Sequence, residues 1–168
     1  MVQLVYNENP AVAVQGQLAE PMAPMRIVSR IVETAALEPG VAVTAGTDKV
    51  KQVVLSTDGA DIVGITCLQD YLESKPTGVV DADTGEIMTE AKYQVGRQVG
   101  VMAAGTVFMP VGVTLSTTAI GEEVGIGANG YVIDGACTGT YRLFLEEAPE
   151  GLAAGALVKI RVAGPQGA

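Results

Sequence analysis

Few residues in this chain of 168 could carry chemistry, and those few lie far apart. There is no His, so every mechanism that depends on an imidazole base or an imidazole metal ligand is excluded. The two cysteines, Cys67 and Cys137, have no Cys or His neighbours that would complete a metal set, and they read as buried thiols of a cytosolically made protein. No Gly-x-Ser-x-Gly elbow and no phosphate-cradling Gly-rich loop followed by Lys-Ser/Thr is present. Catalysis would have to rest on Asp, Glu, Lys, Tyr or Cys, and no spacing brings two of them together. The expectation is a protein that is not an enzyme, with no cofactor and no metal.

Two short motifs invite chemical readings that their contexts weaken. Asp83-Thr84-Gly85 is the triplet in which aspartic proteases pair two carboxylates around one proton. Here it follows Asp81-Ala82 and precedes Glu86, as a solvated hairpin tip does, and the turn preference of Asp and Gly accounts for it. Asp81, Asp83 and Gly85 also start a calcium-loop pattern, but its last position falls on Lys92 where a carboxylate is needed, leaving at most a weak adventitious cation site. Thr47-Asp48-Lys49-Val50 resembles the hairpin tip on which lipoyl domains carry their cofactor, with Lys49 as the modified residue. The residue before Thr47 is Gly46 instead of the expected Glu, and a lipoyl domain is far shorter than this chain.

A mass of 17.2 kDa fits one domain, or one domain with an arm, since a compact unit takes about 100–200 residues. Hydrophobic residues make up 48%, mean hydropathy is +0.34, and 17% of residues are charged against a norm of about 25%, so a sizeable core is available and general disorder is excluded. The net charge of −9 and pI near 4.4, with ten scattered basic residues, argue against binding a phosphate backbone. The N-terminus lacks the basic region of a signal peptide, its first positive side chain being Arg26. The longest uncharged stretch, Gln98 to Gly121, has the length of a membrane helix of about 20 residues. Gly100, Gly105, Pro110, Gly112 and Ser116-Thr117-Thr118 break it into Val-rich pieces of strand length, so buried strands are expected and no membrane partner.

The elements that would hold these residues divide at about residue 37. Residues 1–37 read as an N-terminal arm and lead-in, with Pro10, Pro21 and Pro24 keeping the chain extended between the β-like pieces Leu4-Val5-Tyr6 and Val12-Ala13-Val14. Apolar residues on such an arm need a surface to cover. Leu4, Val5, Tyr6, Val12, Val14, Leu18, Met22 and Met25 are the candidate partner contacts, and the alternative is that the arm folds back as an edge strand of its own sheet. Between Met25 and Leu37 the spacing of Ile27, Ile31 and Thr34 or Ala35 allows a helix, while Val28 and Val32 support a strand equally well.

Residues 38–168 read as a β-rich body, with short Val/Ile runs separated by Gly-containing turns about every 8–12 residues. Strands are expected at Val41–Thr44, Lys51–Leu55, Ile62–Gln69, Gly78–Asp81, Glu86–Thr89, Tyr93–Ala103, Thr106–Val111, Glu123–Ile126, Tyr131–Ile133, Tyr141–Glu146 and Leu157–Val162. Asp83-Thr84-Gly85 should close a hairpin between Val80 and Ile87, and Asn129-Gly130 favours a type I′ turn. The expected fold is mainly β, a single compact β-barrel or jelly-roll-like sandwich with an extended N-terminal arm.

In this order the motifs resemble a known family, the structural cement or capsid decoration proteins of tailed bacteriophages. Gly16-Gln17-Leu18-Ala19-Glu20, Pro24 and Ile27-Val28-Ser29-Arg30 are similar to its early Gly-x-Leu-Ala-Asp segment, proline and Ile-x-Ser step. Pro39-Gly40-Val41-Ala42-Val43-Thr44-Ala45-Gly46 resembles its Gly-x-Ala-Val element, and Ile62-Val63-Gly64-Ile65-Thr66 its Phe-x-Gly-Ile-x strand. Val99 to Val111 resembles its strand–Gly–strand core, and Gly155 to Val162 its closing strand. Departures are Glu20 for the family's Asp, an extra residue before Pro24, and an unmatched stretch from Thr84 to Tyr93.

The resemblance implies a non-enzymatic protein on the outer capsid surface of the virion, made in the host cytoplasm, that braces contacts between major capsid proteins. The expected partners are the major capsid protein and further copies of itself, as a trimer at local threefold positions or, second, a dimer at twofolds, with no nucleic acid. The alternatives are another virion structural protein, such as a tail tube or fibre component, and the lipoyl-like carrier.

Overall fold

The structure, a computed structural model, describes residues 14–19, 24–68, 73–80 and 87–164. Its eleven strands are β1 (Arg26–Val32), β2 (Ala42–Ala45), β3 (Gln52–Leu55), β4 (Ile62–Thr66), β5 (Glu73–Val80), β6 (Ile87–Lys92), β7 (Gln98–Pro110), β8 (Gly125–Ile126), β9 (Val132–Ile133), β10 (Arg142–Glu147) and β11 (Leu157–Ala163). No helix occurs among the described residues. The mainly β fold expected from the Val-rich runs is the fold observed.

Five strands close into a barrel in the order β1-β3-β2-β4-β7, because β7 returns to pair with β1. That closing seam is antiparallel, from Arg26 opposite Ala104 to Ile31 opposite Gln98. On its other edge β1 runs parallel to β3, with Ile31 opposite Gln52 and Val32 opposite Val53. This pairing on both edges decides the choice left open for Met25 to Leu37 in favour of a strand. The sheet then continues outward from β7 through β11 to β10, with Leu157 opposite Pro110 and Val162 opposite Gly105.

Side chains alternate across a strand, so a barrel wall that is covered outside as well as filled inside must be apolar on both faces. Val32, Val43, Val53, Val99 and Val101 fill the barrel, with Val63 packed against them. The other faces of the same strands, through Ala42, Ile62, Ile65 and Met102, enter a larger core with Val107, Met109, Leu143, Leu145, Val158 and Ile160. This double duty is why Ile62-Val63-Gly64-Ile65 and Val99-Gly100-Val101-Met102-Ala103 read as unbroken apolar runs. Each fully buried Val or Leu contributes about 1.5–3 kcal/mol relative to exposure.

Several expected elements are redrawn. The segments Tyr93–Ala103 and Thr106–Val111 are parts of one strand, β7, which begins only at Gln98. Gly105, at φ 131°, lets the chain run on while its partners change from β1 and β4 to β11. The Asn129-Gly130 turn is not type I′, because among the described non-glycine residues only Asp61 has positive φ. Instead the Gly130 amide donates to the Gly127 carbonyl at 2.9 Å and Gly130 alone adopts φ 72°, a tight turn closed by a left-handed glycine. The expected hairpin is present as β5 and β6, with Val80 opposite Ile87 and Glu73 opposite Lys92, and both strands start earlier or end later than expected. Its tip, Asp83-Thr84-Gly85, lies outside the described residues.

Gly64 marks the tightest point of the barrel wall. At φ 148°, a Cβ there would sit 2.2 Å from the Met102 carbonyl oxygen on β7. Backbone on a packed central strand has nowhere to retreat. Gly64→Ala is therefore expected to destabilise the protein by about 3 kcal/mol or more, measured as a lowered urea midpoint, whereas Gly96→Ala, which meets no neighbouring atom but also sits at φ 78°, should cost only the roughly 1–2 kcal/mol of a left-handed alanine.

Candidate functional site

Among the described residues no side-chain constellation for catalysis emerges. Among the described residues no group of three or more His, Cys, Asp and Glu is placed to hold a metal ion. Cys67 and Cys137 are both buried and free. Burial pushes the Cys67 thiol up to about 12, and burial with the nearby Glu123 carboxylate pushes Cys137 up to about 11. Neither is a nucleophile at neutral pH. Lys49 stands exposed at the tip of the β2–β3 hairpin, and Asp48 beside it is occupied by the turn, its carboxylate accepting the Val50 and Lys51 amides at 3.0 and 3.1 Å.

What the structure builds with most care is the place where the N-terminal segment meets the body. Residues 16–19 run along β7: the Gly16 amide donates to Phe108 O at 2.8 Å, Phe108 N to Gln17 O at 3.0 Å, and Ala19 N to Thr106 O at 3.0 Å. Gly16 is wedged against Pro39-Gly40 so closely that a Cβ on it would lie 2.6 Å from Pro39 Cβ, and it sits at φ 75°. Its carbonyl accepts the Leu68 amide at 2.7 Å. The root of the arm is thus bonded to two distant parts of the chain at once.

Beside it lies a polar knot centred on Glu38. Its carboxylate accepts the Tyr131 hydroxyl at 2.6 Å and the Gln15 side-chain amide at 3.4 Å, and pairs with Lys92 at 3.5 Å. Gln15 donates again to Pro39 O at 2.8 Å. The buried Thr66 hydroxyl fixes the backbone here, donating to Glu38 O at 2.7 Å and accepting the Val41 amide at 3.0 Å. Burial alone would raise the Glu38 carboxyl, but the Tyr131 and Gln15 hydrogen bonds and the Lys92 ammonium outweigh it and hold it below its ordinary value. Burial and Glu38 together push Tyr131 up to about 12.

Of the residues expected to meet a partner, Val14 is exposed and lies just before the anchored root. Leu18 is half-buried, bridges to Val107 and packs on the larger core, so it faces its own body. Met25 is half-buried, its Cβ close to Gly105. Leu4, Val5, Tyr6, Val12 and Met22 lie outside the described residues. Sequence reasoning missed Gln15, Glu38, Lys92 and Tyr131, whose only signal was the glycine at each side of the contact, Gly16 and Gly40.

A second pinned feature is the loop between β7 and β8. The Asp134 carboxylate accepts the Ser116 amide at 2.8 Å, the Ser116 hydroxyl at 3.0 Å and the Thr118 amide at 3.0 Å. These bonds, led by the Ser116 amide, hold its pKa well below the usual carboxylate range. The loop anchors Leu115 in the larger core and leaves Val113 and Ile120 exposed.

The sequence matches the phage structural cement protein family, described as structural cement protein (E217 gp24/Pam3 gp6), over residues 2–163. No significant match to a curated protein was found. A match of that extent shows the family: the chain is a member of the phage structural cement proteins, whose role is structural and capsid-stabilising.

Two expectations follow from the site chemistry. Native protein at pH 7.5 should leave both thiols unreacted with a maleimide over hours and expose both on unfolding in urea, read by intact mass. Glu38 and Asp134 both have lowered folded-state pKa values, so their stabilisation is present above the unfolded carboxylate pKa and is lost as pH falls through the folded values. Amide exchange at Ser116 and Thr118 should accordingly be faster in Asp134→Ala at pH 7, while the parent loosens there only in strong acid.

Proposed function

We propose that this cement protein binds the outer surface of a tailed-phage capsid and braces neighbouring major capsid proteins, without catalysing a reaction. The observation that carries the reading is the anchored root at Gln15-Gly16, beside the exposed Val14 and preceded in sequence by the apolar residues Leu4, Val5, Tyr6 and Val12. A segment held at one end loses less freedom when its remainder docks than one that is loose throughout. Leu4, Val5, Tyr6, Val12 and Val14 are the contacts with the shell, by main-chain pairing with alternate apolar side chains in pockets. Met22 and Met25 extend the same surface, and Leu18 supports it from the body side. The division into arm and body, with residues 1–37 leading into 38–168, is part of this reading, although β1 within the first segment belongs to the barrel.

The acidic net charge of −9 keeps the free protein soluble until it docks. Copies associate with one another on the shell, as trimers at local threefold positions, so that several weak arm contacts act together.

Co-sedimentation with expanded, undecorated capsids tests the role. The full chain should bind saturably, and removal of residues 1–13, which leaves Val14 and the anchored root in place, should weaken binding at least about 100-fold, the loss of roughly two buried apolar side chains. Unchanged binding by the truncated protein would move the contact to the β body, and no binding by the intact chain would end the cement reading for this shell. Sedimentation equilibrium of the free protein should give about three times the chain mass of 17.2 kDa, and twice that mass would favour a twofold site.

A further inference from the structure

Strand β1 is paired on both edges only at its end. Ile31 and Val32 meet β3, which begins at Gln52, while Arg26 to Arg30 have β7 on one side and, among the described residues, no strand on the other. Two bonds fix how the backbone faces: the Val32 amide donates to Arg97 O at 3.0 Å just before β7, and the Ile31 amide donates to Lys51 O at 2.8 Å on the opposite side. Successive residues of a strand alternate. Ile27 and Ser29, in step with Ile31, therefore turn their amides and carbonyls to the open side, along an edge from Ile27 to Arg30 of about 13 Å.

The side chains here are those of a contact surface. Ile27 and Ile31 are 41% and 40% exposed, and Val50, in the turn before β3, is 71% exposed. An open groove of about 420 Å³ is lined by Ser29, Arg30, Ile31, Val50, Lys51 and Gln98. Arg26, Arg30, Lys49 and Lys51 are four of the ten basic residues in a chain of net charge −9. None of the four forms a salt bridge among the described residues, whereas Arg142, Lys159 and Arg161 each pair with a glutamate. The nearby carboxylates are already engaged by turn amides, Glu33 with Thr47 at 2.9 Å and Asp48 with Val50 and Lys51.

Cations on an edge strand commonly keep two sheets from joining edge to edge. At this edge they also choose between partners: a second β1 edge would bring like charges together, and an acidic strand would bring opposite charges together.

We propose that the open edge of β1 is a docking site for an extended acidic segment of another protein chain, added to the sheet as a further strand. The backbone of that segment pairs with Ile27 and Ser29. Its apolar side chains lie beside Ile27 and Ile31 on one face, and its carboxylates meet Arg30 and Lys51 from alternate positions. The site is built from barrel residues alone and stands whether or not residues 1–13 bind a shell.

A Glu-Val-Glu-Val-Glu-Val peptide, blocked at both ends, is the probe, titrated at low salt into the isotope-labelled full-length chain and read by backbone amide shifts. The parent should bind it saturably with a Kd of about 1 mM or tighter, with the largest shifts at Ile27 and Ser29. Arg30→Gln combined with Lys51→Gln should weaken binding at least about fivefold at an unchanged melting temperature, and a Lys-Val-Lys-Val-Lys-Val peptide should not bind. The acidic peptide N-methylated at every residue keeps its side chains and loses its main-chain donors, so its binding to the parent should fall at least about tenfold; this comparison needs no variant to fold. The proposal is overturned if the acidic peptide does not saturate by about 5 mM, if the basic peptide binds equally, or if N-methylation or the double substitution leaves binding unchanged. Shifts confined to other parts of the chain would overturn it too. Dilution of the free chain that moves the Ile27 and Ser29 amides would assign the edge to a second copy and likewise end the acidic-partner reading.

Discussion

Strand β7 has to be satisfied along both edges and on both faces at once, and the rest of the molecule is arranged to do so. Its first half closes the barrel against β1 and meets β4 at Val101-Met102. Its second half carries β11 on one side and accepts residues 16–19 through Thr106 and Phe108. Val99 and Val101 point into the barrel while Met102, Val107 and Met109 enter the larger core. An unpaired backbone group in such a place would cost as much as a lost hydrogen bond. The segment at residues 16–19 therefore belongs to the fold, because it completes the ladder that β11 and β1 leave open.

The same economy governs the polar groups. Glu38, Thr66, Gln15, Tyr131 and Lys92 form a knot in which one carboxylate gathers donors from several segments, and the balance of burial against hydrogen bonds leaves it ionised. Asp134 does the comparable task for the β7–β8 loop. In both places a carboxylate orders irregular backbone that no strand could order. A cement protein must present an unvarying surface to every site on a shell, and rigid loops serve that need.

Much of this was legible in the residues. The Val-rich runs punctuated by glycine gave the β body, and their lack of alternation is explained by strands buried on both faces. The β5–β6 hairpin followed from turn chemistry alone. The identity of β1 was not legible, because Ile27, Ile31 and Val32 satisfy two periods equally and only the pairings with β7 and β3 decide between them. Asn129-Gly130 misled for a related reason: five residues, Gly127 to Tyr131, connect β8 to β9, so the turn is longer than a two-residue hairpin loop and Gly130 alone takes the left-handed conformation. The Glu38 knot was invisible because Gln15, Lys92 and Tyr131 come from three separate parts of the chain, and each is unremarkable in its own neighbourhood.

Barrel closure through Arg26–Val32 and Gln98–Ala104 also sets an order of events in time. The first strand waits for the seventh, so nothing emerging early from the ribosome can close by itself, and the parallel β1–β3 pair stays poorly supported until then. Non-local pairing of this kind slows folding toward the millisecond-to-second range. It also makes completion a single late step that brings the seam, the two cores and the arm root together. Chains that have not yet placed β7 lack the anchored root, because Gly16, Gln17 and Ala19 bond to Phe108 and Thr106 on that strand.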